Sequence, residues 1–152
     1  MERSIRMLLL PALLLLSPLA LHAEGDVDRH RWCEECGLSR LDFGENRMLL
    51  EYSDELTIGT CSLNCTVAFL ERRAGKPPRA IHVADGENRA MIDATTATWV
   101  LWGKKKGGRI SGTKRAFASP SAAGVFVKAN GGRVVSWEEA LESTRLESPT
   151  KR

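Results

Sequence analysis

No cysteine of this 152-residue chain lies outside residues 33 to 65, no surplus of charge of either sign builds up, and no long apolar run follows the first two dozen residues. Each absence excludes something. Lys and Arg number 22 against 19 Asp and Glu. Taking Arg3, Arg6 and Glu2 away with the N-terminal segment leaves 20 basic and 18 acidic side chains. That balance argues for neither nucleic acid nor an anionic membrane as partner. The one basic run, Lys104 to Lys106 before Gly107-Gly108, reads as a solvated hairpin tip. Methionine is scarce as well: after residue 23 only Met48 and Met91 remain.

What is present at the N-terminus reads as a leader. Arg3 and Arg6 precede the apolar "MLLLPALLLLSPLAL", and "LHA" before Glu24 has the form of a cleavage site. This pattern predicts a secretory signal peptide over residues 1–23. The run is short and is broken by Pro11 and Pro18, so no stable membrane span is expected after cleavage. No cysteine near the cleavage site offers a thiol to a lipid. The expected product is exported, periplasmic or otherwise outside the cytoplasm.

The remainder divides into a Cys-bearing half, residues 24–92, a second half, residues 93–143, and a polar tail, residues 144–152. "RMLLEYS" and "LTIGT" read as strands around a Ser53-Asp54-Glu55 turn. "CSLNCTVAFLERRAG" reads as a helix capped by Thr60 or Ser62 and stopped at Gly75, and "RAIHVAD" as a third strand. The order recurs with strands "ATWVLWG" and "KRAFA", a helix "SPSAAGVFVKANGG" with Ser119 as cap and Pro120 at its first position, a strand "GRVVS" and a short terminal helix "WEEALES". A shift of 57 residues lays Phe69 on Phe126, Gly75 on Gly132, Cys61 on Ala118 and Cys65 on Ala122. The expectation is an α+β fold of two similar strand–strand–helix–strand halves, of which only the first carries thiols.

The cysteines come as Cys33 and Cys36 in a glycine-bearing turn, and Cys61 and Cys65 at a helix start. Read as helical, Cys61 and Cys65 share a face opposite Leu63, Val67 and Leu70, and the positive helix end favours their thiolates. Four chemistries compete. A four-cysteine Zn(II) site fits the turn pair plus helix pair. Disulfides fit an exported setting. A thioredoxin-type dithiol fits poorly, since Glu34 and Glu35 between Cys33 and Cys36 oppose thiolate formation and no strand-to-helix junction lies there. A soft-metal site fits thiolates best with Cu(I), with His30 and Met48 as further candidate ligands.

The stretch "CEECGLSRLDFGENRMLLEYSDELTIGTCSLNC", followed by "AIHVAD", "MIDATTATWVLWG" and "KRAFASPSAAGVFVKANGGRVVSWEEAL", resembles the NosL family of nitrous-oxide-reductase accessory proteins. The likeness runs from about His30 to Leu141. It implies two related ββαβ-type halves, similar to the treble-clef or organomercury-lyase type of fold. It also implies a non-enzymatic, exported Cu(I)-binding metallochaperone whose partner is a client copper enzyme or copper-assembly machinery. On that likeness Cys36 matches the cysteine of the family's Cys-Gly-Met motif, Cys33, Cys61 and Cys65 match cysteine-rich variants, and Met48 matches a recurrent methionine. The chain departs from the pattern at Leu38, where Met completes that motif, and at Ser111-Gly112-Thr113, where a methionine is usual. It also lacks the lipid-bearing cysteine of many members. The candidate metal set is therefore Cys33, Cys36, Cys61 and Cys65, with Met48 and His30. The rival expectations are a structural zinc- or disulfide-stabilised interaction module, or a thiol-based redox or organometal-cleaving enzyme.

Overall fold

The structure, a computed structural model, describes residues 25–73, 75–103, 105, 106, 109, 110 and 113–147. The expected leader and residues 148–152 lie outside these, as do Lys104, Gly107 and Gly108 of the expected hairpin tip. After a one-turn helix α1 (Asp26–Arg29) come strands β1 (Met48–Glu51) and β2 (Thr57–Thr60), helix α2 (Leu63–Arg72), and strands β3 (Ala80–Ala84) and β4 (Met91–Asp93). The second half contains β5 (Thr98–Trp102), a small ribbon of β6 (Lys105–Lys106) and β7 (Arg109–Ile110), then β8 (Thr113–Phe117), α3 (Pro120–Asn130), β9 (Arg133–Val135) and α4 (Trp137–Glu147).

Local chemistry accounts for the boundaries. In β1, Met48 and Leu50 are fully buried while Leu49 and Glu51 are half-buried, the two-residue alternation of a sheet with one face on the core. The turn to β2 is closed by Tyr52 N–H donating to Leu56 O at 2.9 Å. Ser62, not Thr60, caps α2: its hydroxyl accepts from Cys65 N–H at 3.3 Å. The Thr60 hydroxyl instead lies 2.6 Å from that of Thr66. Ser119 caps α3 in the same way, accepting from Ala122 N–H at 3.1 Å, with Pro120 in the first turn where a missing N–H costs nothing. Helix α4 continues past Ser143 to Glu147, beyond the expected "WEEALES", because Thr144 is buried and Lys114, itself buried, pairs with Glu147.

Both halves arrange their strands alike. The first sheet has the order β2-β1-β3-β4 and the second β8-β5-β9, all neighbours antiparallel. In each, the first strand of the half is central, its hairpin partner lies on one side, and the strand after the helix lies on the other. The ββαβ repeat expected from the sequence is therefore present in the topology, down to the serine caps. The 57-residue shift superposes β2 and α2 on β8 and α3. It does not carry β1 onto β5, since the connection from β5 to β8 is lengthened by the β6–β7 ribbon.

One core joins the halves. Met48 and Val83 from the first sheet, Leu63 and Val67 from α2, Trp99, Leu101, Ala116 and Val135 from the second sheet, and Ala140 from α4 form one buried cluster. The Trp99 and Trp137 rings lie 5.5 Å apart. The sheets are stitched where Asp85 meets Ala116, Gly86 N–H donating to Ala116 O at 2.8 Å. Burying α2 through Leu63 and Val67 turns the N-terminal end of that helix, with Cys65, toward the loop before β1. Among the described residues no helix is long and apolar enough to cross a membrane.

Candidate metal centre

Residues 31–40 form a narrow hairpin with the first cysteine pair at its tip. Trp32 bridges Ser39, Arg40 N–H donates to Arg31 O at 2.8 Å, and Cys33 N–H donates to Leu38 O at 2.8 Å. The tip turns through Gly37, whose N–H bonds Cys33 O at 2.8 Å and whose φ of +72° few side chains tolerate. Glu34 N–H donates to Gly59 O at 3.0 Å, laying the hairpin against the end of β2. From there the chain runs through Thr60 into Cys61, Ser62 and α2.

The sequence reading put Cys61 and Cys65 together on the helix. The structure puts Cys61 outside it. Ser62 has extended backbone angles (φ −164°, ψ 167°), as a capping residue requires, so the helix begins at Leu63 and only Cys65 is helical. This breaks the expected shared face and points Cys61 toward the hairpin. Its Sγ lies 3.5 Å from Cys36 Sγ and 3.5 Å from Cys65 Sγ, and its N–H donates to Cys33 Sγ at 3.3 Å. All four sulfurs fall within 4.8 Å of one another, and all four are free thiols. Cys33 and Cys61 are buried, Cys65 is half-buried and Cys36 is exposed.

The helix end does not govern the thiols as expected. Burial pushes the Cys61 thiol up to about 11, and Cys36 and Cys33 add to the rise against a hydrogen bond with Cys65. Burial likewise raises the Cys65 thiol, which outweighs the hydrogen bond with Ser62. Cys33 goes the other way. Burial pulls it up, but N–H donors of Cys36, Glu35 and Cys61 outweigh that and bring it below the ordinary thiol value. The thiolate-favouring position is thus the turn, despite Glu34 and Glu35, because backbone N–H groups act at contact range. Glu35 moreover is engaged, in an ion pair with Arg72 at the far end of α2.

His30 and Met48 each have a hydrogen-bond partner of their own. His30 Nε2 lies 2.7 Å from Thr57 Oγ1, and burial together with the charges of Arg40 and Arg29 lowers its pKa. Met48 is fully buried in the shared core, and its Sδ accepts from Thr66 Oγ1 at 3.2 Å. Sequence reasoning missed Arg40, which is fully buried and hydrogen-bonded on every side. A signal for it existed in Gly59. A glycine inside a strand marks close approach by another group, and a Cβ there would sit 2.5 Å from His30 Cβ and 2.7 Å from Arg40 Cζ. Missed too was the exposure of four large apolar side chains on the cysteine loop, Trp32, Leu38, Leu41 and Phe43.

The quartet fits one thiophilic ion. Thiolates about 2.3 Å from a tetrahedral centre lie about 3.8 Å from each other. The observed 3.5 Å contacts and 4.8 Å maximum bracket that spacing. An all-sulfur donor set suits Cu(I) or Zn(II) and disfavours hard cations.

A family model described as NosL matches residues 25–144. Among solved structures, the chain is similar to the crystal structure of the copper chaperone NosL from Shewanella denitrificans, with a TM-score of 0.57 and 20% identity over 77% of this chain and 94% of that one. None of the curated proteins matches.

Proposed function

The chain belongs to the NosL family, and from that premise we propose that it is an exported Cu(I)-binding metallochaperone holding one ion on Cys33, Cys36, Cys61 and Cys65. The observation that carries the reading is the convergence of four free thiols at an edge of the fold, with Cys36 exposed and Cys33 and Cys61 buried. A resident structural ion is best sealed on all sides. A cargo ion needs one accessible ligand that an incoming partner can replace. The all-sulfur set supplies the soft ligands Cu(I) prefers, and its cysteines occupy a chain poor in the methionines such a site would otherwise use.

The finer parts of the proposal follow from the leader and the family. Residues 1–23 direct export to the periplasm, and the recipient is a copper enzyme such as nitrous-oxide reductase, or the machinery that assembles it. Met48 and His30 then serve as second-tier groups. The Met48 sulfur already accepts from the Thr66 hydroxyl, and His30 is held at Nε2 by Thr57, which leaves Nδ1 as its ligand atom.

The test is a Cu(I) titration of the reduced protein against a chromogenic chelator, with Zn(II) in parallel and the Cys61→Ser/Cys65→Ser double variant alongside. One-to-one Cu(I) uptake, lost in the variant while the fold persists, is the expected result. Failure of Cu(I) to compete, together with Zn(II) binding whose removal unfolds the chain, would replace copper delivery with a structural zinc module.

A further inference from the structure

We propose that Arg40 is the positioning residue of the metal centre: its guanidinium locks the hairpin bearing Cys33 and Cys36 to the strand end that leads into Cys61. The inference rests on the metal reading above.

Arg40 ends the hairpin whose tip carries Cys33 and Cys36, and its side chain is fully buried. Every N–H of the guanidinium is used. Nε donates to Thr60 O at 3.0 Å, one terminal nitrogen to His30 O at 2.5 Å and Asp26 O at 3.2 Å, and the other to Asp26 Oδ2 at 2.8 Å and Met48 O at 3.0 Å. These five acceptors belong to α1, the loop before the hairpin, the first residue of β1 and the last residue of β2. Thr60 is the residue before Cys61. The two cysteine pairs, far apart in sequence, are therefore held in register by one planar fork. A lysine, with three donors on one atom, cannot reproduce it.

The electrostatics point the same way. Arg40 and Arg47 share the single carboxylate of Asp26, so these three groups together carry one positive charge. A monovalent ion on three or four thiolates carries two or three negative charges, and Arg40 and Cys33 interact through their charges. The same group that fixes the geometry thus also offsets the charge of the loaded site. Outer groups that orient metal ligands in this way are worth roughly 10–100-fold in metal affinity.

The experiment compares wild type, Arg40→Lys and the milder Asp26→Asn. Each is titrated with Cu(I) against a chelator, and with Cd(II) by its thiolate-to-metal charge-transfer absorption, whose intensity counts bonded sulfurs. Thermal unfolding fixes a temperature at which every variant is folded. The expected result is a loss of roughly 10–100-fold in affinity for both ions in Arg40→Lys. Its Cd(II) band should be weaker, since fewer sulfurs close on the ion, and Asp26→Asn should fall between it and wild type. Wild-type affinity and band intensity in a folded but less stable Arg40→Lys would make the residue merely structural and overturn the inference, leaving copper binding intact. A wild type that takes Cd(II) but not Cu(I) would overturn the copper reading while the Cd(II) arm still judges Arg40. A wild type that takes neither ion would overturn both.

Discussion

Replacing Gly59 by alanine tests, from the opposite side, whether the hairpin and β2 are held at the separation the four sulfurs need. The added Cβ would stand 2.5 Å from His30 Cβ and 2.7 Å from both Cζ and a terminal nitrogen of Arg40. Ordinary contact begins near 3.4 Å, so the hairpin base must retreat by about 1 Å or the strand must bend. Arg40 cannot yield alone, since its donors are all committed. Overpacking of this kind costs about 1–3 kcal/mol, offset by about 0.4–1 kcal/mol because alanine restricts the unfolded chain. The net loss of about 0–2.6 kcal/mol corresponds to a fall in melting temperature of at most roughly 10 °C for a domain of this size. The sharper readout is the site. Retreat of the hairpin moves Cys33 and Cys36 away from Cys61 and Cys65, so Cu(I) affinity should fall about tenfold or more. Thermal unfolding and chelator competition on the same sample measure both. Unchanged Cu(I) affinity with a lowered melting temperature would show that the site tolerates a shift of its own base, and would refute the argument that hairpin docking sets the sulfur geometry.

Further outcomes follow from single groups. The Tyr52 hydroxyl is buried without a hydrogen-bond partner among the described residues, so Tyr52→Phe should raise stability by about 1 kcal/mol in urea unfolding; a loss would mean that the hydroxyl is paired. Asp26 is raised by burial but lowered further by hydrogen bonds and charge from Arg47 and Arg40, so its folded pKa lies below the ordinary 3.8. Its contribution is complete above that value and is lost as pH falls through the folded pKa. Acid unfolding below about pH 4 should therefore be less steep in Asp26→Asn. Cys36→Ser should weaken Cu(I) binding and leave the melting temperature unchanged, whereas Cys33→Ala should also destabilise by about 1–3 kcal/mol, since it strands the buried N–H of Cys61. Truncation after Ser143 should cost several kcal/mol in urea unfolding, because it removes buried Thr144 and leaves buried Lys114 without Glu147.

The architecture was legible because each half announces itself with short-range signals. Alternation in "MLLE", the Ser62 and Ser119 caps, Pro120 and the glycine after α3 each act over a few residues, and the structure obeys them. What sequence could not decide was a choice between two neighbouring options of similar local merit. Thr60 and Ser62 are both competent caps. Tertiary contact settled it, because Thr60 is drawn into the interior by Thr66. That single choice moved Cys61 off the helix. The end of α4 is a similar case: its polar residues look like a tail until Lys114, from a strand in the other direction of the chain, supplies a partner for Glu147.

The candidate centre was legible in composition and not in electrostatics. Four cysteines in two close pairs foretell a convergence, and Cys33, Cys36, Cys61 and Cys65 do converge. Their inequality was invisible. A helix end is a diffuse partial charge, and it loses to the burial that surrounds Cys61 and Cys65. The turn at Cys33 concentrates several N–H groups on one sulfur, and they outweigh its burial. The result is a graded cluster: a buried, backbone-bonded thiol at one side, two raised thiols between, and an exposed one at the rim. A graded site of this kind suits passage of an ion better than its storage. On the chaperone reading proposed above, the deep sulfur would fix where the ion rests, and the exposed Cys36 would be the first bond a partner displaces.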